Sequence, residues 1–179
     1  TVDGSSASSN SPDGPNVEKG GQAYTLRASS PASRVVYTCS PEFGSCTVLT
    51  DFKTASAAIT QVLLDPNDPT SNRDEMINWA RGLDLDDVNE NGSNADARPY
   101  IHGDVVHSQP VALDYADASD PNDPGPKVVV YYAGNDGMLR AVNGNRSTAI
   151  GTPAVPAGHE LWAFMPPEFY QYISILRKN

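Results

Sequence analysis

One acidic loop, residues 84–96, carries the residue pattern most suited to binding an ion. Three oxygen-bearing side chains alternate along it at positions 87, 89 and 91, and a glycine follows the last of them. Alternating oxygens before a glycine turn suit a hard cation, as in the first half of an EF-hand loop. Arg98 holds the twelfth position, where an EF-hand has glutamate, so an earlier aspartate would have to close the site. The alternative is a solvated loop of Asx turns. The predicted Ca²⁺ ligands are Asp87, Asn89, Asn91 and Asp96.

Two histidines beyond this loop raise the question of metal binding or acid–base chemistry. His102 and His107 flank a short segment that also holds Asp104. If this segment is a strand, the two imidazoles are five positions apart and face opposite sides, which argues against joint ligation of one metal. We therefore expect all three polar side chains to have hydrogen-bonded structural roles.

The two cysteines, Cys39 and Cys46, enclose a segment with Pro41 and Gly44, which favour a turn. An even number of cysteines at short spacing predicts one local disulfide and an oxidising compartment. The alternative is a pair of free thiols in a cytosolic protein. A zinc site needs four ligands, and no histidine lies near the pair in sequence.

Composition excludes several classes of function. The chain has 179 residues, with 12 Lys and Arg against 22 Asp and Glu, which gives a net charge of −10. This charge argues against nucleic acid and anionic membranes as partners. No apolar run reaches the roughly 18 to 20 residues of a membrane span. No signal-peptide pattern is visible, so we expect a mature product or an internal fragment.

Enzymatic motifs are also missing from the sequence. It contains no Gly-x-Ser-x-Gly elbow, no Walker loop and no His-Glu-x-x-His helix. We therefore predict a protein that binds and does not catalyse.

The first half of the chain gives mixed local signals. Residues 1–17 are polar and rich in Ser, Gly, Asp and Asn, which predicts a flexible linker. The 22–27 and 34–38 segments favour strands. Apolar residues at helical spacing predict a helix over 55–63, which Pro66 would end. A second helix over 74–80 has Asn72 as its cap and Gly82 as its stop. Strands predicted in the second half span 109–115, 127–133, 138–142 and 160–164, and a helix follows over 168–177.

Four strands in about 55 residues, joined as a meander, match the size of one propeller blade. The stretch Val128–Gly137, the returning strand 138–144 and Glu160–Phe164 resemble the repeat of quinoprotein-like propellers. By that resemblance Asp136 and Gly137 form the turn between the second and third of these strands. Trp162 would be the tryptophan that docks neighbouring blades.

Three longer stretches together resemble the PilY/PilC family of type IV pilus tip-associated adhesins and assembly factors. They are 98–110, 132–143 and 160–168, and shorter upstream matches lie at 18–27, 37–39 and 77–82.

The resemblance implies a secreted protein whose fold is mainly β. The expected fold is a partial, truncated β-propeller with a quinoprotein-like blade and two or three short helices. Residues 18–97 would be a lead-in segment, and residues 98–179 the first blade with its following helix. A single blade cannot bury both faces of its sheet, so other blades should complete it.

The functions implied by the resemblance are pilus assembly, surface adhesion and sensing, at the periplasm, the outer cell surface or the pilus tip. The implied partners are pilin and minor pilin subunits, with host or abiotic surface receptors. Two alternatives stay open: a periplasmic quinoprotein-like enzyme, whose cofactor site would need residues from many blades, and a calcium-stabilised structural scaffold.

Overall fold

The computed structural model describes residues 21–39, 46–123 and 125–178. The predicted linker over residues 1–17 lies outside these ranges. Helices α1 to α4 and strands β1 to β6 alternate irregularly, with short 3₁₀ turns at Pro31–Ser33 and Pro167–Phe169. In chain order the main elements are α1 (Gly21–Ala28), β1 (Val36–Cys39), β2 (Leu49–Asp51), α2 (Gln61–Leu64), α3 (Arg73–Ala80), β3 (Val111–Asp114), β4 (Val128–Ala133), β5 (Leu139–Asn143), β6 (Glu160–Phe164) and α4 (Tyr170–Lys178).

All six strands belong to one mixed sheet in the order β2-β1-β6-β5-β4-β3. Strands β3 to β6 form the antiparallel meander predicted from the sequence, which agrees with the expectation of a mainly β fold. The two early strands join the same sheet, because β1 pairs in parallel with β6. The lead-in segment and the expected blade therefore share a single sheet, and the propeller itself stays a prediction.

The turn between β4 and β5 has the geometry predicted for it. Gly137 has a φ of 81°, in the left-handed region that favours glycine. The Gly134 amide donates to the Met138 carbonyl at 3.0 Å, which closes the hairpin. The Asp136 carboxylate also accepts from the Met138 amide at 3.2 Å.

The strand predicted over residues 22–27 is wrong, because this segment forms α1. Its buried side chains are Ala23 and Leu26, three positions apart, so they share one face of a helix and would face opposite sides of a strand. The Thr25 hydroxyl donates to the Gln22 carbonyl at 2.9 Å, and the Ser29 hydroxyl donates to the Thr25 carbonyl at 2.8 Å. These local bonds suit a helix.

The long helix predicted over 55–63 is also wrong, since only α2 is helical there. The guanidinium of Arg73 donates to the carbonyls of Thr54, at 2.9 Å, and Ser56, at 2.6 Å, and also to Ile59. A side chain from the next helix therefore binds carbonyls that a continuous helix would use itself. By contrast, α3 begins as predicted, with the Asn72 side chain accepting from the Asp74 and Glu75 amides.

Helices α2, α3 and α4 pack on one face of the sheet. Buried residues of β1 and β6, Val36 and Ala163, join the side chains of α2, α3 and α4 in one hydrophobic core. The remaining core members are Phe52, Ile59, Leu64, Met76, Ile77, Ala80, Met138, Met165, Tyr170 and Ile173. The strand residues that alternate with the covered ones form the opposite surface, here called the open face. The open face carries Tyr37, Val111, Leu113, Val129, Tyr131, Leu139, Ala141, Trp162 and Phe164.

Candidate functional site

The open face is apolar and aromatic at its centre. Tyr131 and Trp162 lie on either side of the fully buried Ala141, and their ring centroids are 5.9 Å apart. The hydroxyls of Tyr115 and Tyr131 are 2.9 Å apart, and this hydrogen bond, with some burial, raises the pKa of Tyr131 to about 12. Trp162, the predicted docking residue, is half-buried on this face. What docks there stays a prediction.

The face continues outward into exposed apolar side chains. Val111 and Leu113 on the edge strand β3 are 51% and 46% exposed, and Tyr115 is 54% exposed. Leu139 on β5 is 37% exposed. Exposed apolar surface of this kind is a candidate interaction site.

The acidic loop over 84–96 is closed at its base by backbone pairing. Leu83 and Ala97 form an antiparallel bridge, and the Asp84 amide donates to the Asp96 carbonyl at 2.9 Å. The carboxylate of Asp84, which is only 1% exposed, accepts from the amides of Val88 and Asn89 at 2.9 and 3.2 Å. Asp84 therefore fixes the start of the loop, a role that was not predicted from the sequence.

Three of the four predicted calcium ligands meet directly. The Asn89 and Asn91 side-chain amides donate to Oδ2 of Asp96 at 2.9 and 2.6 Å, and these bonds lower the pKa of Asp96. Oδ1 of Asp96 is buried without a hydrogen-bond partner. The fourth, Asp87, accepts from the Asn91 and Gly92 amides at 3.0 and 3.1 Å.

The chemistry of this set is oxygen-rich, and rotating each asparagine amide would present its oxygen to the same place as Asp96. Over the described ranges, no group of three or more His, Cys, Asp or Glu side chains is placed to hold a metal ion. Two of the four predicted calcium ligands, Asn89 and Asn91, are not of these residue types. The calcium site therefore stays a prediction.

Arg98, at the position where an EF-hand has its closing glutamate, is directed away from the loop. Its guanidinium stacks on the Trp79 ring, with Cζ 3.8 Å from the ring centroid, and donates to the Tyr100 carbonyl at 3.0 Å. Burial lowers the pKa of Arg98 to about 9. This arginine therefore anchors the end of the loop to the protein body.

A buried network of charges that was not predicted from the sequence lies under the sheet. Glu160 on β6 accepts from Arg34 at 2.9 and 3.0 Å and lies 3.3 Å from Nε of Arg140 on β5. Arg140 also makes a two-pronged ion pair with Asp136 at the hairpin turn. Two positive and two negative side chains therefore balance in the interior. Charged residues inside otherwise apolar strands were the available signal.

The electrostatics of this network follow from burial and pairing. Burial alone would raise the pKa of Asp136, but Arg140 and the Gly103 amide hold it well below its usual range. Burial would lower the pKa of Arg140, but Asp136 and Glu160 raise it. Asp136 and Arg140 are therefore both charged at neutral pH, and Asp136 is an ion-pair partner as well as the predicted turn residue.

His102 borders this network and is neutral at pH 7. Burial, followed by the nearby Arg140 charge, lowers the pKa of His102 to about 4. Its Nε2 lies 2.8 Å from the Tyr132 hydroxyl, while its Nδ1 is buried without a hydrogen-bond partner. Burial raises the pKa of Tyr132 as well.

The segment containing both histidines is irregular, so the conditional argument from a strand does not apply to it. The expected hydrogen-bonded roles are nevertheless confirmed. Asp104 accepts from the Asn135 side chain at 2.6 Å, and Nδ1 of His107 lies 3.4 Å from the Asn135 Oδ1. These contacts tie the segment to the hairpin tip, and they leave the two histidines with different partners.

The predicted disulfide is present, joining Cys39 at the end of β1 to Cys46 before β2, with Cα atoms 5.1 Å apart. The turn residues between them lie outside the described ranges. Along those ranges, no helix has the length and apolar character needed to cross a membrane. Comparison with known proteins adds no assignment, since no family model, curated protein or solved structure matches the chain.

Proposed function

We propose that this chain is part of a secreted, type IV pilus-associated protein similar to the PilY/PilC family, and that it acts by binding and not by catalysis. Its roles would be pilus assembly, surface adhesion and sensing, with pilin and minor pilin subunits as partners and host or abiotic surfaces as receptors. The disulfide between Cys39 and Cys46 is consistent with the oxidising periplasm and cell surface.

The support combines sequence motifs with the element that they build. The motif stretches 98–110, 132–143 and 160–168 supply the segment before β3, the hairpin of β4 and β5, and strand β6. Joined in chain order, β3 to β6 form a four-stranded meander of the kind found in one propeller blade. The proposal is therefore supported by the sequence motifs and by the strand arrangement together.

The observation that carries the proposal is the open face. A sheet with an aromatic, half-buried centre at Tyr131 and Trp162 needs a second layer to bury it. In a propeller, the neighbouring blade provides that layer. We therefore propose that Trp162 docks a following blade and that the acidic loops 65–96 and 114–126 lie at the binding surface.

Deletion of the parent gene tests the pilus assignment. In the source bacterium we expect the deletion to abolish surface pili and adhesion. The wild-type full-length protein should restore both, and the Trp162→Ala protein should restore them only in part. Tyr24→Ala is the matched control, since this aromatic residue is 40% exposed and lies on α1, outside the sheet. Normal piliation and adhesion in the deletion strain would contradict the assignment.

A quinone titration separates binding from catalysis. The full-length protein is titrated with pyrroloquinoline quinone and assayed for alcohol-dependent dye reduction. We expect neither binding nor turnover. Tight quinone binding together with dye reduction would favour the periplasmic enzyme instead.

A calcium-stabilised loop is a second candidate function, favoured by the unpartnered Oδ1 of Asp96 beside two asparagine side chains. We propose that Asp87, Asn89, Asn91 and Asp96 hold Ca²⁺ and fix the loop. Calorimetry with Ca²⁺ against EGTA should show binding and a raised melting temperature in the wild type, both lost in Asp87→Ala. Asp117→Ala, in the other acidic loop, should keep both. Absence of heat and of a melting shift in the wild type would remove the site.

A further inference from the structure

The two edge strands of the sheet differ in whether their outward backbone groups are bonded. At the β2 edge, the outward Asp51 carbonyl accepts from the Lys53 amide at 3.1 Å and from the Ser56 hydroxyl. The Asp51 carboxylate also pairs with Lys53. This edge strand is three residues long and is blocked by the chain that follows it, as natural edge strands usually are.

The β3 edge has no such protection. All four residues of Val111–Asp114 are exposed, and none of them is proline, lysine or part of a bulge. The Tyr115 amide donates to the Lys127 carbonyl at 3.1 Å. In an antiparallel pair every second residue directs its amide and carbonyl to the same neighbour, so the backbone groups of Leu113 and Val111 also point toward β4. The amides and carbonyls of Ala112 and Asp114 therefore point outward. Within the part of the chain that the structure describes, no group hydrogen-bonds to them.

The side chains around the β3 edge define which kind of added strand would bind there. The loop that follows β3 carries Asp117, Asp120 and Asp123. Lys127 forms an ion pair with Asp123. The exposed side chains of Val111 and Leu113 continue the open face to the edge. An added strand with alternating apolar residues would extend that face, and basic residues at its end would meet the acidic loop.

We propose that β3 is a docking edge for an extended, basic segment of another protein, which adds to the sheet as a seventh strand. Backbone hydrogen bonds to Ala112 and Asp114 would provide affinity, and lysine or arginine beside Asp117 and Asp120 would provide selectivity. A second copy of this chain fits less well, because each copy carries a net charge of −10. The inference does not depend on the pilus assignment.

The test uses a labelled ten-residue peptide in which valine alternates with threonine and two lysines stand at each end. Binding to the whole chain is measured by fluorescence anisotropy. We expect saturable binding that weakens with added salt, and at least tenfold weaker binding for the peptide N-methylated at alternate residues. A peptide with glutamate in place of lysine should also lose at least tenfold.

Variants of the chain locate the site. Ala112→Pro removes only an outward amide, so we expect an unchanged urea midpoint and at least tenfold weaker peptide binding. Ala112→Ser keeps the amide and should bind as the wild type does. Asp117→Asn with Asp120→Asn keeps the turn-forming oxygens and should lose several-fold affinity together with most of the salt dependence.

Each contrary result overturns the proposal. No binding by the wild type would remove the docking edge, as would equal binding by Ala112→Pro or by the glutamate peptide. Self-association of the wild type that Ala112→Pro abolishes would make a second copy the occupant. If the peptide binds only after residues 1–20 are removed, residues 1–20 of the same chain would be the segment that binds at the β3 edge.

Discussion

Glu160 is shared by two buried arginines, and this arrangement makes its charge necessary. Arg34 and Glu160 have side chains that are 2% and 5% exposed. A buried ion pair adds little net stability, because desolvation offsets attraction, but removal of one partner leaves an uncompensated buried charge. The network should therefore be far more sensitive to loss of one member than the surface ion pairs are.

We expect Glu160→Ala to lower the free energy of unfolding by about 3–5 kcal/mol, because Arg34 and Arg140 lose their shared anion. Urea denaturation at pH 7 measures the change. Asp86→Asn is the control, since the Asp86 side chain that pairs with Arg177 is 46% exposed and its replacement should cost less than about 1 kcal/mol. Equal costs for the two variants would show that the network is not tightly buried.

His102 should make stability depend on pH in a defined window. Its pKa is lowered to about 4, whereas an unfolded histidine titrates near 6.5. Between these values the unfolded chain binds the extra proton, so stability should fall as the pH drops from about 6.5 to about 4, by roughly 1–3 kcal/mol. Urea midpoints at pH 7, 5.5 and 4.5 check this.

The matched variants are His102→Asn and His107→Asn. The first should flatten the pH dependence in that window, and the second should leave it unchanged. A wild-type midpoint that stays constant between pH 7 and 4.5 would argue against a buried, neutral His102.

At the residue scale, local chemistry was predictable and long-range partners were not. Asn72 as a helix cap, the turn at Gly137 and the pairing of Cys39 with Cys46 all depend on residues close in sequence. Asp136 was assigned to the turn alone, and its bond from the Gly103 amide, 33 residues earlier in the chain, depends on how the hairpin lies over that segment. The calcium ligands remain predicted and untested.

At the scale of elements, α3 ends where the chain must make a close approach. Gly82 has a φ of 107°, and a Cβ added there would clash with the side chain of Ile101. The end of α3, the start of the acidic loop and the segment before β3 therefore meet at one glycine.

Gly82→Ala should be destabilising for two reasons, backbone strain and overpacking, which together cost about 2–4 kcal/mol. Gly125→Ala is the matched control, because Gly125 has nearly the same φ of 110° but no atom within 4 Å of an added Cβ. It should show the backbone strain alone, about 1–2 kcal/mol. Thermal unfolding of both variants separates the two contributions, and identical losses would contradict the close contact.

The helices show why element predictions fail in different ways. The 22–27 segment alternates well enough to suggest a strand, but the spacing of its buried residues Ala23 and Leu26 suits a helix. The 55–63 segment has a helical pattern, but Arg73 binds its carbonyls from outside. In the first segment local bonds favour the helix, whereas in the second a tertiary contact interrupts a locally acceptable helix.

At the scale of the whole molecule, the disulfide reinforces the blocked end of the sheet. Replacement of both Cys39 and Cys46 by serine should lower the free energy of unfolding by about 2 kcal/mol, since the closed loop is short. The measurement is urea denaturation of the double variant beside the wild type with and without a thiol reductant. The reductant should affect the wild type only, and a reductant effect of similar size on the double variant would contradict a stabilising disulfide.

The meander of β3 to β6 was predictable because each strand pairs with its neighbour in sequence. The addition of β1 and β2 was not, because nothing in the local pattern of residues 34–51 specifies β6 as a partner. The division into a lead-in segment and a blade follows the sequence motifs, whereas the hydrogen bonds join both into one sheet.

The parallel pairing of β1 with β6 has a consequence for biosynthesis. The Thr38 hydroxyl donates to the Met165 carbonyl, 127 residues further along the chain. A ribosome adding about 5–20 residues per second needs several seconds or more to make that stretch. During this interval β1 has emerged without its central neighbour, and its exposed backbone is a site where a chaperone would protect the nascent polypeptide from premature association.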